Sequence, residues 1–172
     1  MKNEAVGAYE AAGIMGVHFS RPRRLAEKGD LSSRVVGGGK SASFAVYSLR
    51  ECEENWRDYE ELVRSGELFG RPRAWESNRP AALRALGAKG RPQILFEDAI
   101  GVDQAAEILR VFPTRVPRMI EEGKLIARRL WSDRASESKL WIVSKKSAEA
   151  LAKSMDAAER EGTKRGRRRH PA

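Results

Sequence analysis

The sequence predicts a mainly helical protein with small β-hairpins, arranged as two tandem copies of one module. The first observation behind this is a repeat. The 23-residue stretch from Tyr9 to Leu31 aligns without a gap on the stretch from Asp103 to Leu125, with 9 identical positions, where composition alone gives about one or two. The second observation is that β-branched and aromatic residues flank a small polar tip after each stretch, which is the pattern of a hairpin.

Inside the repeat, the apolar positions predict two short helices joined by a tight turn. In the first copy, apolar residues at positions 11, 12, 14, 15 and 17 predict a helix that ends near Gly16. A second helix follows, with a Ser or Thr as its N-cap, a proline in its first turn and a glycine after its end. These three features recur in both copies, at Ser20, Pro22 and Gly29 and at Thr114, Pro117 and Gly123.

A hairpin and a longer helix complete each copy. The hairpins are predicted from Arg34 to Tyr47 and from Arg128 to Val143. Ser48 and Glu51 form a possible capping box for the first long helix. Its apolar stripe consists of Leu49, Cys52, Trp56, Tyr59 and Leu62, and the second helix has a weaker stripe of Ala148, Leu151 and Met155. The side chains of both stripes, the Cys52 thiol among them, are expected in the core.

Composition and charge favour two small domains. The protein has 172 residues, 33% of them charged, and a net charge of +9. We place module 1 at residues 1–65, a linker with a possible short helix at 66–98, module 2 at 99–158 and a basic disordered tail at 159–172. The net charge, Lys and Arg minus Asp and Glu, is 0 over residues 1–65, +2 over 66–98, +4 over 99–155 and +3 over 156–172. Basic charge concentrated in this way favours an anionic partner.

Several classes of function are disfavoured. A single cysteine, Cys52, rules out an internal disulfide, and no Cys and His spacing suits zinc. With two histidines and no phosphate-binding loop, nothing supplies a nucleophile with its base, so we expect neither an enzyme nor a cofactor. No apolar run approaches the roughly 18 residues of a membrane span. The expected location is the cytoplasm, or the interior of a virion.

The two repeats resemble a known family. EAAGIMGVHFSRPRRLAEKGDL and QAAEILRVFPTRVPRMIEEGKL, each followed by a basic hairpin, resemble the winged helix-turn-helix of the MerR superfamily, in particular its excisionase-like branch. The resemblance covers about 55 residues of each half and implies two tandem winged helix-turn-helix domains. The chain departs from the family at His18 and Phe112, where Ser is usual, and at Arg110, which replaces the glycine that ends the first helix.

This resemblance implies double-stranded DNA as the partner. The second helix of each copy would enter the major groove, where arginine pairs with guanine, and the hairpin, or wing, would contact phosphate or the minor groove. Arg21 and Arg23 are the better candidates for reading bases. The candidate DNA-binding residues of the first copy are Ser20, Arg21, Arg23, Arg24, Arg34 and Lys40, and those of the second are Thr114, Arg115, Arg118, Arg128, Arg129, Arg134 and Lys139.

Three interpretations remain open at this stage. The leading one is a sequence-specific transcriptional regulator or an excisionase-like architectural factor. The first wing, RVVGGGKSASFAVYS, is also similar to that of the lambdoid terminase small subunit. This alternative implies binding to packaging-site DNA, self-association into an oligomer and contact with a large terminase subunit. The third interpretation is an adaptor in which one module binds protein.

Overall fold

The computed structural model describes residues 3–37, 43–67, 76–130 and 140–167, with side chains as far as residue 159. The chain is mainly helical, with small antiparallel sheets. Module 1 comprises β1 (Ala5–Gly7), α1 (Ala8–Met15), α2 (Arg21–Lys28), β2 (Ser33–Val36), β3 (Phe44–Ser48) and α3 (Leu49–Arg64). After α4 (Arg79–Leu86), module 2 comprises β4 (Ala99–Ile100), α5 (Val102–Leu109), α6 (Val116–Glu121), β5 (Ala127–Arg129), β6 (Trp141–Ser144) and α7 (Lys145–Arg167).

Each module contains a three-stranded sheet with the same topology. The hairpin strands pair as expected, with Val36 opposite Phe44 in the first sheet and Arg129 opposite Trp141 in the second. A strand that the sequence did not predict joins each sheet, so that the orders are β1-β3-β2 and β4-β6-β5. These first strands have only three and two residues, which is too short for an alternating pattern to be recognised.

The glycines predicted to end the helices of the repeat are confirmed. Gly16, Gly29 and Gly123 have φ values of 63°, 83° and 71°, the left-handed conformation that ends helices and that a side chain disfavours. The equivalent of Gly16 in module 2 is Arg110, which takes the same conformation with a φ of 54°. It is the only residue other than glycine with positive φ in the described part of the chain.

The N-caps agree with the prediction only in part. Ser48 caps α3, its hydroxyl accepting a hydrogen bond from the Glu51 amide at 3.2 Å. Ser20 stands at the N-cap of α2, but its hydroxyl bonds the His18 ring at 2.9 Å and caps no amide. The prediction for Thr114 is wrong, because this residue lies inside a 3-10 turn, Pro113–Arg115, and α6 begins at Val116. Helix α6 is therefore shorter than α2.

Two hydrophobic cores lie within the modules. The first surrounds Ile14, Met15 and Leu25, and the second surrounds Ala105, Leu109 and Val116. Cys52 is fully buried in the first core, as expected. Helix α4 contributes the buried Ala82 to the first core, so this part of the expected linker packs onto module 1.

A third core joins the two modules. It consists of Ala5, Val36, Val46, Ile94, Phe96, Ala99, Leu130 and Ile142. Six of these eight residues form equivalent pairs of the repeat: Ala5 with Ala99 and Val36 with Leu130, 94 positions apart, and Val46 with Ile142, 96 positions apart because the second hairpin is two residues longer. The two modules therefore face each other through corresponding surfaces, in the manner of a dimer made from one chain.

The end of the expected linker is part of this arrangement. The Ala5 amide donates to the Ile94 carbonyl and the Phe96 amide donates to the Asn3 carbonyl, both at 2.9 Å. Residues 94–96 of the expected linker, 66–98, thus pair with the chain at the first strand. The expected disordered tail is wrong as far as residue 167, because α7 continues to Arg167.

Candidate nucleic-acid interface

Helix α2 carries the densest exposed basic surface among the candidate residues. Pro22 and Leu25 are buried and attach the helix to the first core. Arg21, Arg24 and Lys28 are exposed and lie three and four residues apart, so they share one side of the helix. Over residues 21–28 four basic residues oppose Glu27 alone, giving a net charge of +3. The basic side of α2 thus projects away from the protein.

Arg23 differs from its neighbours. Its Nε atom lies 2.8 Å from the carboxylate of Glu27, one turn along α2, and both side chains are largely exposed. An exposed pair of this kind exchanges readily with solvent and stabilises the helix little. Arg23 is therefore available to an anionic partner only in competition with Glu27, a restriction that Arg21 and Arg24 do not share within the described residues.

The corresponding surface of module 2 is neutral. Thr114, Arg115 and Arg118 are exposed, but the Arg118 Nε atom lies 2.9 Å from the Glu122 carboxylate. Lys124 also contacts Glu122, at 2.8 Å, and hydrogen bonds from Lys124 and Arg118 lower the pKa of this carboxyl. Over residues 113–123 two arginines oppose two glutamates, so the net charge is 0.

The wing strands hold three of the candidate arginines. Arg129 is exposed, and its guanidinium lies 4.9 Å from the centre of the Trp141 ring. Arg34 is partly buried, and its NH1 donates to the Phe96 carbonyl at 2.6 Å. Part of the hydrogen-bonding capacity of Arg34 is thus used between the modules.

Arg128, expected on the surface as a DNA contact, is instead buried. Its side chain is only 4% exposed and forms a two-pronged ion pair with Glu10, with contacts of 2.7 and 3.1 Å. The NH2 group also donates to the Ala5 carbonyl at 2.6 Å. Glu4 lies nearby, 3.5 Å from the Arg128 Nε atom, and forms a second ion pair with Arg91. Arg128 is therefore part of the interface between the modules.

The tips of both wings lie outside the described residues. This concerns the remaining three candidates, Lys40, Arg134 and Lys139. In the described ranges, no group of three or more His, Cys, Asp or Glu is placed to bind a metal ion. No helix there is long and apolar enough to cross a membrane.

Comparisons of the chain with known protein families, with curated proteins and with solved structures find no match.

Proposed function

We propose that the protein binds double-stranded DNA through two winged helix-turn-helix modules, with α2 as the main major-groove helix. The observation that carries this proposal is the basic side of α2 formed by Arg21, Arg24 and Lys28. A short helix fixed by a tight turn, exposing arginines and followed by a β-hairpin, suits insertion into the major groove. A transcriptional regulator or an excisionase-like architectural factor is the function that fits best.

Arg21 and Arg24 have different roles in this proposal. Arg21 begins α2, and the N-terminal residues of a recognition helix approach the base edges most closely. A guanidinium there can donate two hydrogen bonds to O6 and N7 of guanine, which distinguishes this base from the others. Arg24 and Lys28, further along the helix, contribute phosphate contacts that orient the protein without specifying sequence.

A second candidate function follows from the neutral surface of α6. With Arg118 paired to Glu122, α6 itself has no excess charge to hold phosphate, and the net charge of +4 over residues 99–155 lies elsewhere in the module. In this variant of the adaptor interpretation, module 1 binds DNA and module 2 binds protein. A terminase small subunit remains the other alternative within DNA binding, and it requires an oligomer.

The test is a binding and footprinting assay on genomic fragments, with Arg21→Ala plus Arg24→Ala as the variant. The matched control is Arg50→Ala plus Arg57→Ala, which removes the same charge from the exposed side of α3, where both arginines contact Glu54. We expect the α2 variant to lose roughly 10-fold to 100-fold in specific affinity. The control should change affinity only slightly. Equal losses in both variants would show that α2 does not read sequence.

A further inference from the structure

Module 2 contains a groove between α5 and α7 that no described element fills. Its volume is about 620 Å³, and it lies beside the end of α5, where Ile108 and Leu109 form the apolar part. Helix α7 contributes Glu149, Ala152 and Asp156. Arg110 and Lys153 also line the groove, as does Glu159, so its charged residues are three acidic and two basic. The groove is thus apolar at its base and has a small excess of acidic groups at its rim.

The internal repeat shows which surface of module 1 corresponds to this groove. Ile108 is equivalent to Ile14, 94 positions earlier. For the helix after the wing the offset is 96, because Ser144 corresponds to Ser48. Glu149, Ala152 and Asp156 therefore correspond to Glu53, Trp56 and Glu60. The same groove exists in module 1, but there it is covered.

Helix α4 is what covers it. Ala82 of α4 is buried in the first core, and Leu86 packs partly against it. Arg79, at the first position of α4, donates a hydrogen bond to the Ile14 carbonyl and lies 4.4 Å from the centre of the Trp56 ring. Burial lowers the pKa of Arg79, and the carboxylates of Glu60 and Glu53 act in the opposite direction. An apolar helix that begins with an arginine thus fits the groove of module 1.

We propose that the α5–α7 groove of module 2 binds a short amphipathic helix of a partner protein, with an arginine at its N-terminus and alanine or leucine on its inner side. Charge complementarity supports this occupant. Glu149 and Asp156 are equivalent to Glu53 and Glu60, whose charges favour the protonated form of Arg79. The Ile108 carbonyl is equivalent to the Ile14 carbonyl, which accepts the Arg79 hydrogen bond. The proposal does not depend on DNA binding, because it uses neither α2 nor α6.

One difference between the two grooves determines how tightly the groove of module 2 is expected to bind a helix. Ala152 stands where module 1 has Trp56, so the groove of module 2 lacks the aromatic face on which Arg79 lies. The partner helix must also be ordered on binding, which weakens a short free peptide. A peptide with the sequence of α4 should therefore bind weakly, and restoring the aromatic ring should strengthen the binding.

The experiment uses the full chain and a synthetic peptide of residues 76–90. Amide chemical shifts are followed by NMR while the peptide is added. We expect shifts at Ile108 and Ala152 with a dissociation constant of about 0.1 to 1 mM, as for a short helix that orders on binding. The Ala152→Trp chain should bind about 2-fold to 5-fold more tightly, the gain expected of a cation over an aromatic face. Glu149→Lys plus Asp156→Lys, and a peptide carrying Arg79→Ala, should each abolish detectable binding.

A charge-matched control variant tests whether the loss of peptide binding is specific to the groove. Glu97→Lys plus Glu121→Lys changes the charge of the chain by the same amount at two exposed positions outside the groove, and it should leave peptide binding unchanged. Three results would overturn the proposal. The first is the absence of shifts in the groove at about 2 mM peptide, roughly twice the upper end of the expected dissociation constant. The second is shifts confined to Ile14 and Trp56 through displacement of α4, and the third is an equal loss of binding in the control. Sedimentation equilibrium should give a monomer. A dimer dissociated by the groove variant would assign the groove to a second copy and also overturn the proposal.

Discussion

Arg128 and Glu10 are 118 residues apart in sequence and form a two-pronged ion pair buried between the modules, with side-chain exposures of 4% and 2%. Each residue of the pair also makes a further hydrogen bond to the backbone of module 1. The Glu10 carboxylate accepts a hydrogen bond from the Gly7 amide at 2.8 Å, which caps α1. The Arg128 guanidinium reaches the Ala5 carbonyl of β1. One salt bridge thus connects the second wing to the start of the first helix.

Removing one partner of this pair should be strongly destabilising. We expect Arg128→Met to lower the free energy of unfolding by about 3 to 5 kcal/mol, because the Glu10 carboxylate would remain buried without its cation. Glu10→Leu should have an effect of the same order. The double variant should lose less than the sum of the two, since no unpaired charge remains. Urea unfolding of the full chain measures all three values.

The neighbouring Arg129→Met serves as the control for the pair, because Arg129 is exposed. We expect it to change the unfolding free energy by no more than about 0.5 kcal/mol, as is usual for surface positions. A loss of less than about 1 kcal/mol for Arg128→Met, the range of an exposed ion pair, would contradict the buried salt bridge.

The modules also approach closely at two equivalent glycines. A Cβ atom at Gly101 would lie 2.5 Å from the backbone nitrogen of Gly37, whereas one at Gly7 would lie 2.9 Å from a methyl group of Leu130. A side chain can rotate away, but a backbone segment cannot without shifting the wing. Gly101→Ala should therefore lower the unfolding free energy by about 2 kcal/mol and Gly7→Ala by roughly half as much. Equal effects, measured by urea unfolding, would mean that the modules separate easily.

Much of each module follows from local sequence. The helices, the hairpins and the glycine stops are predictable because they depend on apolar spacing and on backbone conformations that few residues adopt. The recurrence of Arg34 and Arg128 at matching positions is visible in the sequence too, where it indicates DNA contact. In the structure Arg34 donates a hydrogen bond to Phe96, in the segment that precedes module 2, and Arg128 donates one to Ala5 of module 1.

The interface itself could not be predicted from single elements. It depends on two very short strands and on Ile94 and Phe96, which lie in a segment whose Gly and Pro content is typical of a linker. Pairing between residues 3–5 and 94–96 is a long-range contact without a local pattern. The repeat does give one indication of this interface, since paired modules often associate through equivalent surfaces.

Arg110 should be a site at which the stability of module 2 can be raised. It takes the left-handed conformation, with a φ of 54°, at the end of α5, where module 1 has Gly16. Replacing it with glycine removes the unfavourable contact of a Cβ atom in this conformation, at some entropic cost. We expect Arg110→Gly to raise the unfolding free energy, measured in urea, by about 0.5 to 1 kcal/mol. Glu107→Gly, at an exposed position within α5, is the control and should lower it by about 1 kcal/mol.

Cys52 should be unreactive in the folded protein. It is fully buried, and burial raises the pKa of its thiol far above the usual value, with Glu51 and Glu53 adding to the effect. A disulfide reagent should therefore react at the rate of global unfolding near neutral pH, and at once in urea. Because the folded state holds this proton more tightly, stability should fall as the pH rises above about 8.5. Rapid labelling without denaturant would contradict the packing of α3.

The two proposed recognition surfaces should contribute unequally to DNA binding. Residues 21–28 carry a net charge of +3, while residues 113–123 carry 0. Arg21→Ala plus Arg24→Ala should therefore reduce affinity far more than Arg115→Ala plus Arg118→Ala.

Titrations at several salt concentrations separate phosphate contacts from base reading. If six to ten phosphates are neutralised, the log–log slope should be roughly −5 to −9, and each lost phosphate contact should make it shallower by about one. Equal losses would instead indicate that both modules hold DNA alike, and an unchanged slope with the α2 variant would place the phosphate contacts elsewhere.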